Sequence, residues 1–228
     1  MRAPLYFEDR VDAGRQLAQA LLARGYTAED TLVLGLPRGG VSVAYEVAEA
    51  LGAPLDIWVV RKVGAPNYQE LGLGAVAEGG ITYLDRERMA RMSVSEATAR
   101  RLVQRKAAEV KERVARFRGG DAPPDVQGKT VILVDDGIAT GGTVRAALQS
   151  LRMRRPGRIV LAVPVAGNEI LEELRPMVED LVCVLARPDL DSIGQWYASF
   201  PQVPDEDVKR LMNEARAQAL DGGVSARP

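Results

Sequence analysis

The chain has 228 residues, 46% hydrophobic and 27% charged, with 30 Lys and Arg against 31 Asp and Glu for a formal net charge of -1. That is ordinary globular composition, long enough for one sizeable core, and it excludes a global field toward nucleic acid or anionic membrane, so any basic site must be local. The chain has no histidine and a single cysteine, Cys183, which removes imidazole bases, the commonest zinc ligand, Ser-His and Cys-His nucleophile pairs, and any disulfide within the chain.

The first ten residues, MRAPLYFEDR, carry acids where a signal peptide needs its apolar region. No stretch approaches the ~18 apolar residues of a membrane span, so a cytoplasmic protein is expected. Residues 9 to 24 read as a helix with Asp9 as N-cap and Val11, Leu17, Leu21 and Leu22 at helical spacing. TLVLGL (31 to 36) reads as a strand ending in PRGG, VSVAYEVAEAL (41 to 51) as a helix, and LDIWVVRK (55 to 62) as a second strand. The glycine-rich stretch 64 to 80 reads as a loop with a short strand near Gly74 to Glu78, followed by another at Ile81 to Leu84. Within it, GLGAVA matches G-x-G-x-x-A but opens no long helix, so a dinucleotide fold is discounted.

Residues 85 to 118 hold eleven basic and five acidic residues. Ser93 with Glu96 suggests a capping box, and Val103, Ala107, Val110, Val114 and Phe117 recur at spacings of four and three, so most of this arm should be one amphipathic helix. It reads as a solvated arm that covers the sheet or meets another subunit, through which a homo-oligomer would form. Nucleic acid is not expected as a partner, because aromatics are only 5% of the chain and no RNA-binding motif is present. GGDAPPDVQG (119 to 128) is a turn back into the sheet. VILVD (131 to 135), IVLAVPV (159 to 165) and LVCVLA (181 to 186) are further strands, separated by helices near 143 to 153 and 168 to 175. A last helix is expected over 205 to 219. Cys183, inside an apolar run, should be a buried inert thiol.

Nearly continuous apolar strands alternating with helices imply an α/β fold with a mostly parallel sheet covered on both faces, whose ligands bind at strand C-termini where the strand order reverses. At such an end stands VILVDDGIATGGT, residues 131 to 143. Thr140, Gly141, Gly142 and Thr143 at a helix N-terminus would aim backbone N–H groups and hydroxyls at one point, a phosphate cradle. Asp135 and Asp136 beside it suit the vicinal hydroxyls of a sugar, or a share in holding Mg²⁺. Without a ligand or cation, two such adjacent carboxylates should repel each other. No Gly-Lys-Ser/Thr follows the glycines, so this is not a nucleotide-triphosphatase loop.

This stretch resembles the thirteen-residue phosphoribosyl pyrophosphate (PRPP) signature of the type I phosphoribosyltransferases. The resemblance implies one domain over 1–228 with a helical insertion at 85–128 and a small C-terminal hood and helix over 187–228. It implies that Asp135 and Asp136 hold the ribose 2- and 3-hydroxyls and contribute to the Mg²⁺ site, while Ala139, Thr140, Gly141, Gly142 and Thr143 hold the 5-phosphate. PRGG (37 to 40) resembles the pyrophosphate loop, with Arg38 supplying charge and Gly39 and Gly40 exposed amides; VVRK (59 to 62) is similar to the strand end before the mobile catalytic loop, so Arg61 and Lys62 would face pyrophosphate, and the loop after Lys62 would close over the ligand. Tyr68 and Glu70 are candidates in that loop. Trp196 and Tyr197, clustered with Phe200, would stack on the base in the hood, unless they serve to pack the last helix. Two departures from the pattern matter: Ala139 stands where hypoxanthine-type enzymes carry an aspartate, and the lysine that orotate-type enzymes place three residues beyond the RK pair is missing. The implied reaction transfers the 5-phosphoribosyl group of PRPP to an unspecified nitrogen base and releases pyrophosphate. A non-catalytic PRPP-binding regulator whose basic arm meets RNA or a protein is the other reading.

Overall fold

The computed structural model describes residues 6–66, 68–119, 122–188 and 190–224, and the side chains of 68–70 and 219–224 lie outside that description. The first helix, α1 (Arg10–Leu22), starts where expected: the Asp9 carboxylate accepts the backbone N–H groups of Val11 and Asp12 at 2.9 Å each, satisfying donors a helix start leaves orphaned. Its buried stripe is Ala13, Gly14, Leu17, Ala18 and Leu21. Val11 and Leu22, expected to share that face, are exposed, at the edge of the stripe and in the first and last turns of the helix.

Five strands form the central sheet: β1 (Thr31–Gly35), β2 (Leu55–Ile57), β6 (Thr130–Val134), β7 (Arg158–Gly167) and β8 (Asp180–Arg187). They run parallel in the order β2-β1-β6-β7-β8. Side chains alternate strictly across it. Val33, Ile132, Val134, Val160 and Ala162 join one core with α1, α2 (Gly39–Leu51), α4 (Glu96–Arg118) and α7 (Asp205–Val224). Leu32, Leu34, Val131, Leu133, Ile159 and Leu161 join the other with α5 (Gly142–Arg152) and α6 (Asn168–Leu174). Each such buried aliphatic stabilises the fold by about 1.5–3 kcal/mol relative to exposure. The strand order reverses between β1 and β6, whose ends align with Gly35 opposite Val134. A crevice for ligands opens there.

LDIWVVRK is not one strand. After β2 the chain leaves the central sheet through Trp58 and Val59, and β3 (Val60–Ala65) pairs antiparallel with β4 (Tyr68–Ala77), which pairs with β5 (Ile81–Leu84). Trp58 and Val59 are buried although they lie in the link, with Trp58 donating to Ser150 Oγ at 2.9 Å, so the apolar run gives no sign of the break. The stretch expected to be mainly loop, 64 to 80, is therefore the far half of a β-hairpin. The expected strand at Gly74 to Glu78 is the end of the ten-residue β4.

The basic arm forms α3 (Arg86–Arg91) and then α4. Its N-cap is Ser95, which accepts the Thr98 N–H at 3.2 Å, and not Ser93, whose φ of 53° lies in the bend before it. Glu96 becomes the first residue of the helix and pairs with Arg86 at 2.6 Å. Val110 and Phe117 bury the inner face and Val103 and Val114 are half-buried, as the periodicity predicts, while Ala107 of the expected stripe is exposed. The C-terminal end is fixed by Arg118, whose side chain is 1% exposed: it pairs with Asp56 at 2.9 Å, with Glu78, and donates to the Ile57 carbonyl at 2.8 Å. This cluster ties α4 to the point where the chain passes from one sheet to the other. Among the described residues no helix is long and apolar enough to cross a membrane.

Candidate functional site

The site forms where β1 and β6 end. β6 delivers Asp135 and Asp136 just beyond the sheet, and β1 delivers PRGG, whose Pro37–Arg38 peptide is cis, against them. The two motifs are in direct contact. A Cβ on Gly39 would overlap Asp136 Oδ2, and one on Gly40 would sit 2.8 Å from Asp135 Cα and 2.9 Å from its Oδ1. Real Cβ atoms do not approach other atoms that closely, so only glycine fits at both positions. β1 and β6 are adjacent, so the loops that follow them close around one crevice.

The adjacent carboxylates are treated differently. Asp135 accepts the Asp136 N–H at 2.9 Å. Burial, and then the neighbouring Asp136 charge, push the Asp135 carboxyl well above the usual carboxylate range. Asp136 instead receives a cation: Arg10 Nε donates to its Oδ2 at 2.8 Å, with side chains only 11% and 14% exposed. Arg10 also donates to the Pro201 carbonyl at 2.8 Å and lies 3.8 Å from the Phe200 ring centroid. The expectation of two like charges forced together without relief therefore holds for Asp135 only. Arg10 escapes sequence reasoning, since a single Arg at a helix start carries no motif.

The loop of Ala139 and Thr140 leads to Gly141, the N-cap of α5, with a φ of 70°. A Cβ on Gly141 would sit 2.5 Å from Ile170 Cδ1, so glycine is required both by conformation and by space. Ala139, Thr140 and Thr143 are exposed at the head of α5, where helix N–H groups and dipole favour an anion. Among the described residues no group of three or more His, Cys, Asp or Glu could hold a metal ion. Asp135 and Asp136 are the two carboxylates at the end of β6.

Strand alternation separates Arg61 from Lys62. Arg61 lines a cleft with Leu36, Pro37, Val60 and Thr143, and its Nε is 3.6 Å from Glu109 of α4. Lys62 lies on the other face of β3: a Cβ on Gly142 would be 3.5 Å from its Nζ, and it lines a separate pocket with Thr140 and Arg145. The resemblance had the two facing one group together. Arg38 is directed toward the start of α7, 3.5 Å from Asp205. Of the candidates in the hairpin, the side chains of Tyr68 and Glu70 lie outside the described residues.

Tyr197 is buried between Phe7 (5.3 Å between ring centroids) and Phe200 (4.7 Å), and its hydroxyl donates to the Asp136 carbonyl at 2.6 Å. It braces the aspartates from behind. Trp196 is half-buried, with the Arg187 guanidinium 4.2 Å from its ring centroid, and its buried Nε1 has no hydrogen-bond partner among the described residues. Cys183 sits away from the site, and burial pushes its thiol up to about 11, consistent with an inert group.

The family model described as "Phosphoribosyl transferase domain" matches residues 7–185. A Mycobacterium tuberculosis protein named "Putative phosphoribosyl transferase Rv0571c" is 40% identical over 219 residues, covering 96% of this chain and 49% of that protein. The chain thus spans about half the length of that curated relative. "Bifunctional protein PyrR" of Brevibacillus brevis is 30% identical over 162 residues, 71% of each chain. Among solved structures, TT1426 from Thermus thermophilus superposes with a TM-score of 0.83 at 41% identity, covering 92% of this chain and 98% of that one. With the PRGG glycines packed against the adjacent aspartates of the signature at the strand switch point, and a family match that runs from before α1 into β8, the chain belongs to the phosphoribosyl transferase domain family.

Proposed function

We propose that the chain transfers the 5-phosphoribosyl group of PRPP to a nitrogen base with release of pyrophosphate. The observation that carries this reading is the contact of Gly39 and Gly40 with Asp136 and Asp135 beside the N-terminus of α5. It brings an amide-rich loop, two carboxylates and a glycine turn at a helix N-terminus around one crevice, which supports this reading.

In this reading the exposed head of α5, with Thr140 and Thr143, grips the 5-phosphate, and the aspartates accept hydrogen bonds from the ribose 2- and 3-hydroxyls. The amides of Gly39 and Gly40, with Arg38 and Arg61, face the pyrophosphate. Two adjacent carboxylates without a third ligand fit Mg²⁺, which is commonly held by one or two carboxylates together with substrate phosphates. When bound, Mg²⁺ neutralises charge on the leaving pyrophosphate.

Departure of pyrophosphate from carbon 1 leaves a cation-like sugar comparable to that of glycoside cleavage. The chain's contribution is to fix phosphate and ribose while the arginines stabilise the charge that develops on the leaving group. The raised pKa of Asp135 means that a bound sugar hydroxyl or cation also relieves an unfavourable carboxylate. Ala139 offers no base, so proton handling at the acceptor falls to another group or to the acceptor itself.

The test is pyrophosphate release from PRPP with Mg²⁺ across a panel of purine, pyrimidine and other nitrogen bases. Release that depends on one base supports transfer. Release with no base present marks a hydrolase, and PRPP binding without turnover, coupled to salt-sensitive RNA retention, marks a regulator.

A further inference from the structure

The sequence casts the basic arm as a cover for the sheet or a contact with another subunit. Its inner face does more. Helical periodicity places Arg113 three residues after Val110 and four before Phe117, on the stripe that α4 turns toward the core. The ties that Arg118 makes to Asp56, Glu78 and the Ile57 carbonyl hold this end of the helix in place. Arg113, half-buried, thereby lines the same cleft as Arg61, Leu36, Pro37, Val60 and Thr143. Pro37 begins the PRGG segment and Thr143 ends the signature, so the cleft lies where the two anion-binding loops meet.

The local charges do not balance around Arg113. Glu109 is taken by Lys106 at 2.8 Å and by Arg61 at 3.6 Å. Glu112 and Asp205 are taken by Arg116 at 2.5 and 2.6 Å, and Asp205 also draws Arg38 at 3.5 Å. Among the described residues Arg113 has no carboxylate within ion-pair distance. Burial, and the like charges of Arg38 and Arg116, pull its guanidinium below the usual arginine range, and Asp205 opposes that only in part. Arg61 and Arg113 thus line one narrow cleft, with Arg38 and Arg116 close enough to act on Arg113 and fewer acids than bases around them, an arrangement that favours an anion beside it. A guanidinium fork matches phosphate oxygens in pairs, which suits a diphosphate better than a single carboxylate.

We propose that α4 supplies Arg113 as a ligand for the diphosphate of PRPP, so that the arm forms one wall of the binding site. This rests on the phosphoribosyltransferase reading and adds a residue from outside the signature segments. Arg38 from the end of β1, Arg61 from β3 and Arg113 from α4 then converge on one polyanion from three elements, and filling the site couples the arm to the hairpin and to the PRGG loop.

The experiment measures binding of PRPP, inorganic pyrophosphate and ribose 5-phosphate by calorimetry to the wild type, Arg113→Ala, Arg113→Lys and Arg105→Ala, the last on the exposed side of α4. Arg113→Ala should weaken PRPP and pyrophosphate by at least about tenfold, the scale of one charge-assisted contact, while ribose 5-phosphate stays within about twofold. Arg113→Lys should recover part of the loss, and Arg105→Ala should change nothing. Wild-type affinity for PRPP and pyrophosphate in Arg113→Ala overturns the inference alone, as does an equal loss for all three ligands, which indicates a general structural role. A wild type that binds none of the three overturns the parent reading and this inference with it.

Discussion

Replacing each aspartate of the pair by asparagine should separate them by stability before any ligand is added. Asp136 is held by Arg10 at 2.8 Å with both side chains largely buried. Removing its charge forfeits a charge-assisted hydrogen bond of about 1.5–3 kcal/mol, which for a chain of this length lowers Tm by roughly 3–12 °C. Asp135 has no such partner, and burial together with the Asp136 charge raises its pKa in the folded state. At low pH both folded and unfolded forms carry the proton and nothing is lost. As pH rises above the unfolded value toward the raised folded one, the unfolded chain ionises first and stability falls. Asparagine cannot ionise, and its Oδ1 can still accept the Asp136 N–H that Asp135 accepts at 2.9 Å. Asp135→Asn should therefore melt at or above the wild type at pH 7, with the difference vanishing near pH 4, about the unperturbed carboxylate value. Thermal denaturation of the ligand-free proteins between those two pH values reads both effects. Equal destabilisation by the two substitutions at neutral pH would refute the reasoning that only Asp136 has a counter-ion.

Gly39→Ala drives a Cβ into Asp136 Oδ2, so the carboxylate must move off Arg10; PRPP affinity should fall by at least about tenfold in calorimetry, and an unchanged affinity would separate PRGG from the ligand site. Arg118→Ala leaves Glu78, whose side chain is 1% exposed, as a buried acid without its partner. Such a loss costs about 3–5 kcal/mol and should appear as a large drop in the denaturation midpoint; a midpoint close to wild type would show that α4 is anchored elsewhere. Gly141→Ala forces a side chain into a left-handed conformation against Ile170, and should cost about 1–3 kcal/mol on the same assay while Gly80→Ala, which meets nothing within 4 Å, shows only the backbone share of that cost.

The central sheet was legible because β1, β6 and β7 are buried on both faces and read as unbroken apolar runs, and the half-buried edge strand β8 keeps the same apolar pattern. The same feature hid the break at Trp58 and Val59: burial continues through the link, and nothing in the spacing of hydrophobic residues records that hydrogen-bonding partners change from one sheet to another. The hairpin of β3 and β4 was obscured by its glycines, which a sequence reading assigns to loops although β4 continues for ten residues. Ser93 reads as the cap of α4 because it stands three residues before Glu96, but Ser95 competes for the same role and has the extended backbone that a cap requires. Within the site, Asp135, Asp136 and the glycine turn announced themselves by their order in the chain. Arg10 and Asp205 did not, because each reaches Asp136 or Arg38 from a distant element by tertiary packing alone. The resemblance has Arg61 and Lys62 face pyrophosphate together, and a motif read along the chain does not show that, as adjacent strand residues, they point to opposite faces of β3 and line different pockets.

The most direct test of the central claim is titration of the wild type and of Asp135→Ala with PRPP and Mg²⁺, followed by assay of pyrophosphate release with the base panel. The account predicts saturable PRPP binding and base-dependent release in the wild type, with affinity weakened at least about tenfold in Asp135→Ala. A wild type that does not bind PRPP, or an Asp135→Ala protein that binds and turns it over normally, would contradict it.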